Sequence, residues 1–436
     1  MSFKSNKIIY YAQLLVIASL PFHFLISSYA IGLLLLLFLI NIASSSSFRN
    51  EITVGLKSNR IAQFIIVFFI LFLLSSIIHV PATGLKFSVL EKKMSFLLFP
   101  LLLANTYNYG YKQLHTIFKV YVGSVLISTL IALGLGVYYT ITTDSLYFFD
   151  VDKSVLFNNF MYHRLGSYVG MHAVYFAEYV LLAFILSVSY SYYHFSNWNF
   201  KYRLLSISLG LYFIGIIFLL KSAAILLILM VIIALFIIYY LFKSRNAIST
   251  KLKIIIFIIG AILVSSLTYR AISKIGSKAD FFTYDLSEPG GGEWNGINLR
   301  LAKWHVAKMA IKDHWLLGVG PGNTVTTLDK YYEKVGFNYA LQLHYNPHNQ
   351  FLHTFLTIGI FGALLLVLIF IIAIVKSIKK GDSIMFLFLI SFLLFSMSES
   401  TLAVNKGIVF FALFLSLFSY LPNKTSYYLN EQSNKK

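Results

Sequence analysis

The sequence predicts an all-α polytopic membrane protein, and three observations carry that expectation. Of the 436 residues, 58% are hydrophobic and only 12% are charged, against roughly 25% charged in soluble domains. Long uncharged runs recur, among them IGLLLLLFLINIA (31–43), FIIVFFILFLLSSII (64–78) and AILLILMVIIALFIIYYLF (224–242). The apolar residues in them are continuous rather than alternating, the pattern of helices that satisfy their own backbone in lipid and not of barrel strands.

A span needs about 20 apolar residues to cross about 30 Å of hydrocarbon. By that measure about twelve spans are expected, near 8–25, 28–43, 61–80, 87–106, 114–141, 166–190, 203–220, 222–242, 252–269, 349–375, 383–398 and 407–421. The first follows Lys4 and Lys7 but has no small-residue cleavage site, so it is expected to be retained. The fourth is the weakest, because Glu91, Lys92 and Lys93 lie at its start. The expected division is 1–269 for spans one to nine, 270–347 for a large outer loop carrying short helices, 348–421 for spans ten to twelve and 422–436 for a tail.

An even number of spans places both termini on one side. That side then collects Lys4, Lys7, Arg49, Lys57, Arg60, Lys112, Lys119, Lys201, Arg203, Lys243, Arg245, Lys376, Lys379 and Lys380, against few acids. The cationic side of a membrane protein is cytoplasmic. The net charge of +19 follows from this topology and from attraction to anionic membrane lipids, so nucleic acid is not an expected partner. The chain has no cysteine, which removes disulfides, thiolate catalysis and Cys-based metal sites.

The outer side is expected to be poor in cations, yet Lys86, Lys92, Lys93, Arg164, Lys221 and Lys406 fall on it or at its membrane edge. Snorkelling to lipid phosphates accounts for any one of them. As a set they suit an anionic ligand, such as a lipid-linked pyrophosphate entering from the outer leaflet. The stretch NPHNQFLHTFLTIGIFG (346–362) sits at the outer lip of the tenth span. Asn346 suits an N-cap and Pro347 the first helical position, which would put His348 and Asn349 in the first turn. The positive end of the helix dipole there disfavours imidazolium, and a neutral histidine is what a general base requires. A helix-capping histidine without a chemical role is the alternative. In the outer loop, INLRLAKWHVAKMAIKDHW (297–315) has helical periodicity and sets Arg300, Trp304 and Lys308 on one face. LLGVGPGN (316–323) ends it in a glycine-rich turn that shapes the loop, since no GK[ST] follows. Arg164 precedes the sixth span. His172 and Tyr175 follow it on one face, and Glu178 is an acid deep in that span, where such residues are paired or functional. No H-E-x-x-H and no His/carboxylate set with metal-ligand spacing occurs.

With these residues in view the chain resembles the O-antigen ligase and O-antigen polymerase superfamily. The shared pattern is His348-Asn349, nine residues, Gly359, two residues, Gly362, together with an arginine, Arg300, opening the outer-loop helix ahead of the glycine-rich turn. EKKMSFLLFPLLLAN (91–105) resembles a further stretch of some members. Where many members carry Ser-Arg at the outer start of the eighth span, this chain has Lys221-Ser222-Ala223, and a lysine lacks the bidentate fork of arginine.

The resemblance implies a GT-C-like architecture in the bacterial inner membrane, with cytoplasmic termini and a periplasmic active site. The implied activity is a metal-independent, inverting glycosyl transfer without a cofactor, from a glycan on undecaprenyl pyrophosphate to a sugar hydroxyl of lipid A–core. A polysaccharide polymerase with a glycan acceptor is the alternative within the superfamily, and a lipid-linked glycan flippase or transporter the alternative outside it. His348 and Arg300 are the implied catalytic residues. Arg164, Lys92, Lys93 and Lys221 would bind pyrophosphate, and Asn349, His172, Tyr175 and Glu178 would orient substrate.

Overall fold

The computed structural model describes residues 2–81, 84, 87–143, 159–243 and 296–421, and every regular element among them is helical. In chain order the α-helices are α1 (Ser2–Ser19), α2 (Phe24–Ser44), α3 (Ser46–Ser58), α4 (Arg60–Ile78), α5 (Phe87–Lys93), α6 (Ser95–Leu102), α7 (Tyr111–Thr143), α8 (Tyr162–Ser167) and α9 (Ala173–His194). They continue with α10 (Phe200–Leu219), α11 (Ala223–Lys243), α12 (Gly296–Asp313), α13 (Thr324–Lys334), α14 (Asn338–Gln342), α15 (Gln350–Lys379), α16 (Ser383–Ser398) and α17 (Asn405–Tyr420). Six of these, α2, α4, α7, α9, α10 and α15, are long and apolar enough to cross a membrane, and α1, α11, α16 and α17 contain shorter apolar helices. These ten correspond to ten of the twelve expected segments. The expected ninth span (252–269), Lys86, residues 270–295 of the outer loop, with most of its SEPGGGEWNG stretch, and the 422–436 tail lie outside the described residues.

The fourth expected span is not one helix. It divides into α5, α6 and a 3₁₀ turn over Ala104–Asn108. Lys93 is buried there with its ammonium donating to the Leu402 carbonyl and lying 4.7 Å from the centre of the Phe72 ring. A continuous apolar helix would leave that ammonium in hydrocarbon, whereas the break lets it reach a carbonyl. A second departure is α3, an amphipathic helix that the apolar-run count passes over. Its Phe48, Ile52 and Gly55 are buried, and a Cβ on Gly55 would stand 2.1 Å from the Ala104 carbonyl oxygen.

The centre of the bundle is α17, buried from Lys406 to Tyr420. Its phenylalanines interlock with neighbours. Phe410 stacks on Tyr179 of α9 at 4.3 Å, Phe411 on Phe392 of α16 at 4.6 Å, and Phe414 meets Tyr121 of α7 edge-on at 4.9 Å. In contrast, α10 leaves Leu204, Leu205, Ile207 and Leu211 exposed. A water-facing surface rarely carries so apolar a face, and one turned to lipid does so at no cost. Lys406 is buried too, donating to the carbonyls of Leu20 and Phe22 past the end of α1, so this outer-side cation serves to satisfy backbone oxygens left without helical partners.

A second, smaller core is built from α12, α13, α14 and the start of α15. Ala302, Val306 and Ala310 of α12, Leu328 and Tyr332 of α13, Phe337 and Ala340 pack with Leu356 of α15. The rest of α15, with Leu366, Ile369 and Phe370, packs in the main bundle. The two parts are separated by a kink at Ile358 and Gly359, where φ of Gly359 is +70°. The glycine-rich turn docks into that kink. Val319 N donates to Leu356 O (2.8 Å), Gly320 N to Thr357 O (2.9 Å) and Ile360 N to Trp315 O (2.9 Å). Groups released by the broken helix are thereby satisfied by the turn rather than left bare. The approach is so close that a Cβ on Gly359 would lie 2.1 Å from the Leu316 oxygen.

Gly359→Ala combines a backbone conformation that costs of order 1–3 kcal/mol for a residue with a side chain with a clash against rigid backbone. It is expected to lower the melting temperature of the detergent-solubilised protein by several degrees. Gly215→Ala, where a Cβ meets nothing within 4 Å, is expected to leave it unchanged. Equal melting of the two variants would contradict the docking of the turn into the kink.

Candidate functional site

The local sequence at the start of α15 offers two asparagines as helix caps. Asn349 takes the capping position. Its side-chain oxygen accepts from Phe351 N (3.0 Å) and Leu352 N (3.1 Å), and its Nδ2 donates to Met397 O (3.1 Å). Asn346, the expected cap, instead accepts from His348 N at 2.9 Å. The helix therefore begins two residues after His348, not around it. Asn349 caps the helix by reaching two first-turn N–H groups. His348 is left in the left-handed region, φ +47°, a costly conformation for a residue other than glycine or asparagine.

The imidazole so placed has a partner that the sequence motifs do not name. Glu399, which follows α16, has Oε2 2.8 Å from His348 Nδ1 and accepts from Arg300 Nη2 through Oε1 at 2.7 Å. Arg300, near the start of α12, also donates from Nε to Ser398 O at 3.0 Å. One buried carboxylate thus joins α12, α15 and the end of α16. Burial alone would raise the Glu399 carboxyl. The hydrogen bond and charge of His348, with the guanidinium of Arg300, outweigh it and hold the group below its ordinary value. Ionised at neutral pH, the carboxylate can only accept, so His348 Nδ1 is the donor of their hydrogen bond.

Around this group stand other polar side chains. Lys303, one turn beyond Arg300, is 2% exposed, with its ammonium 4.4 Å from the centre of the Tyr345 ring. Burial lowers its pKa to about 7; Arg300 adds to this and Glu399 works against it. Tyr345 in turn meets the His348 ring edge-on at 5.7 Å, and its carbonyl is held by the Tyr332 hydroxyl at 3.1 Å. His172, at the N-cap of α9, packs against His163 at 4.2 Å and Tyr175 at 6.3 Å. Its pKa is lowered by burial first, then by His163 and His348, with Glu399 opposing, so it lies within electrostatic reach of the His348–Glu399 pair.

Of the residues singled out in the sequence, His348 and Arg300 meet through Glu399, and His172 and Tyr175 flank them. Arg164 is exposed beside His163, its guanidinium over the rings of Tyr139 (5.3 Å) and Tyr168 (5.4 Å). Lys93 is occupied by the Leu402 carbonyl. Lys92 is exposed on α5 and Lys221 in the turn between α10 and α11, and neither is among the described partners of His348 or Glu399. Glu178 is buried in the bundle, accepting from Ser391 Oγ at 3.2 Å, and Asn349 is engaged in capping. Glu399 had a sequence signal. It is the acid that directly follows the 383–398 apolar run. Lys303 had none, because it falls outside the i, i+4, i+8 spacing of Arg300, Trp304 and Lys308.

A carboxylate from outside the sequence motifs thus joins His348 and Arg300, which the motifs singled out, ahead of a glycine at a kink. Residues 207–367 match the family model described as O-antigen ligase. No curated protein matches the chain. The matched segment contains Lys221, Arg300, Lys303, His348, Gly359 and Gly362. Glu399, which completes the group in space, lies beyond its C-terminal limit.

Replacing Glu399 by Gln removes the one negative charge between two potential cations, and breaking a buried pair typically costs about 3–5 kcal/mol. The sign with pH follows from its depressed pKa. The stability it confers is fully present above the ordinary value of about 4.5 and is lost as the pH falls through the lower folded value. The melting-temperature gap between the parent and Glu399→Gln should therefore be wide at pH 7 and close progressively below about pH 4.5. A gap that stays constant over that range would show that the carboxylate is not the stabilising group.

Proposed function

We propose that this protein is a glycosyltransferase of the O-antigen ligase kind. It transfers a glycan from undecaprenyl pyrophosphate to a sugar hydroxyl of lipid A–core at the periplasmic face of the bacterial inner membrane. The observation that carries this is the contact of His348 with Glu399 and of Glu399 with Arg300 inside a chain that matches that family. It is supported by the ten apolar helices, which fit a lipid-anchored donor.

The chemistry assigned to the residues is a single displacement. The acceptor hydroxyl delivers its proton to His348 Nε2 as its oxygen attacks the anomeric carbon. The bond from that carbon to the diphosphate oxygen breaks, the electron pair leaves with the diphosphate, and the configuration inverts. Glu399 keeps Nδ1 protonated and stabilises the imidazolium that forms, the role of the carboxylate in a Ser-His-Asp triad. Arg300 fixes the carboxylate in turn. The developing charge is on the leaving diphosphate, so preorganised side-chain cations can meet it without a metal ion. His172 and Tyr175 are positioned to contact the sugars.

General-base action contributes about 10²–10⁴ in rate. Purified His348→Ala protein, assayed with a lipid-pyrophosphate glycan and lipid A–core in the presence of chelator, is expected to lose transfer by at least about 10² while eluting as folded protein. Transfer near the parent rate would remove His348 from the role of base. Loss of transfer in the parent on adding chelator would contradict the metal-independent route. Product formed only on a second lipid-linked glycan, and none on lipid A–core, would make the enzyme a polymerase.

A further inference from the structure

We propose that Lys303 is a diphosphate-binding cation of this site, gripping the donor's diphosphate from the buried face of α12. The inference rests on the lipid-diphosphate donor proposed above and names a residue for it that the motifs do not contain.

The sequence gives the diphosphate to exposed cations and to Arg300. The structure has other uses for several of them. Arg300 is directed at Glu399 and at the Ser398 carbonyl, and Lys93 at the Leu402 carbonyl. Lys303 differs from both. It is 2% exposed, and its described partner is the face of one ring, Tyr345. A ring face offsets only part of the cost of burying an ammonium. Among the described residues, the charged and titratable groups facing it are Arg300 and Glu399, with Tyr345 between it and His348. Among the described residues Arg300 and Lys303 face one carboxylate, so the site carries an excess of positive charge whenever Lys303 is protonated. Buried charges are paired or hydrogen-bonded in proteins at rest, so an excess cation here calls for an anion supplied by a ligand.

The placement also suits the reaction. Lys303 is at i+3 from Arg300, which sets both on one face of α12. The Tyr345 ring bridges Lys303 to His348. When His348 takes the acceptor's proton, the excess positive charge grows by one as the departing diphosphate gains negative charge. The attraction is therefore greater in the transition state than in the ground state, which is the condition for it to accelerate the step.

The test is direct binding of farnesyl diphosphate to the full-length protein in detergent, with farnesyl monophosphate as the comparison. Lys303→Met and Lys303→Gln are each expected to weaken diphosphate binding by about tenfold or more, the scale of one charge-assisted hydrogen bond, and to affect the monophosphate much less. Lys303→Arg is expected to recover most of the loss. Diphosphate binding within about twofold of the parent in both neutral variants would overturn the assignment, and tenfold is the margin it must clear. No diphosphate binding by the parent would overturn both this assignment and the donor reading, so the two failures are distinguishable. If neither neutral variant folds, the parent and Lys303→Arg decide by pH. The parent's diphosphate affinity should fall above about pH 7, as the ammonium loses its proton, while that of Lys303→Arg, protonated throughout, should not. Identical profiles would overturn the assignment.

Discussion

The constraint on which the site depends is the satisfaction of one buried carboxylate. Glu399 stands where α16 ends, mostly removed from water, and an anion there persists only if both oxygens are engaged. His348 takes one and Arg300 the other. Because these two partners come from elements 51 and 99 residues away, the carboxylate also fixes how the outer-loop helix α12 sits over the entrance to α15. Charge pairing and architecture are here the same contact.

The second element of the site's rigidity is backbone, not side chain. A helix entering a membrane cannot leave its N–H and C=O groups bare, yet α15 breaks at Ile358 and Gly359. The break is tolerated because the 315–320 turn bonds to both sides of it. The segment from Gln350 to Thr357 is thereby joined to the smaller core, and the segment beyond the kink to the bundle. His348 thus stands ahead of a short helical segment that packs with α12, the helix bearing Arg300.

Much of the fold was legible in the sequence because lipid imposes a simple rule, and the apolar runs mark ten helices within a few residues. What was not legible has common causes. The fourth run looked continuous because hydropathy does not register that Lys93 must find a carbonyl. The amphipathic α3 was passed over because the search was for apolar runs. At the site, the His348–Gly359–Gly362 spacing and Arg300 were visible as motifs, since each lies in one short stretch. Their connection through Glu399 was not, because a lone acid 51 residues downstream gives no periodicity to detect. The helix start was misplaced for a local reason. Asn346 and Asn349 are both good caps, and only geometry decides that the second wins. Cations were read as a set by charge alone, and the structure divides them into those that cap carbonyls, Lys93 and Lys406, those that stand exposed, and Arg300, which holds the carboxylate.

The central claim is that Glu399 acts through His348 and not beside it. A double-mutant cycle on the rate of glycan transfer tests this most directly, using the parent, His348→Ala, Glu399→Gln and the doubly substituted protein. Residues that work as one unit are strongly non-additive. The double variant is therefore expected to transfer at about the rate of His348→Ala alone. If the two losses multiply in full, the carboxylate and the imidazole serve transfer independently, and the claim is contradicted.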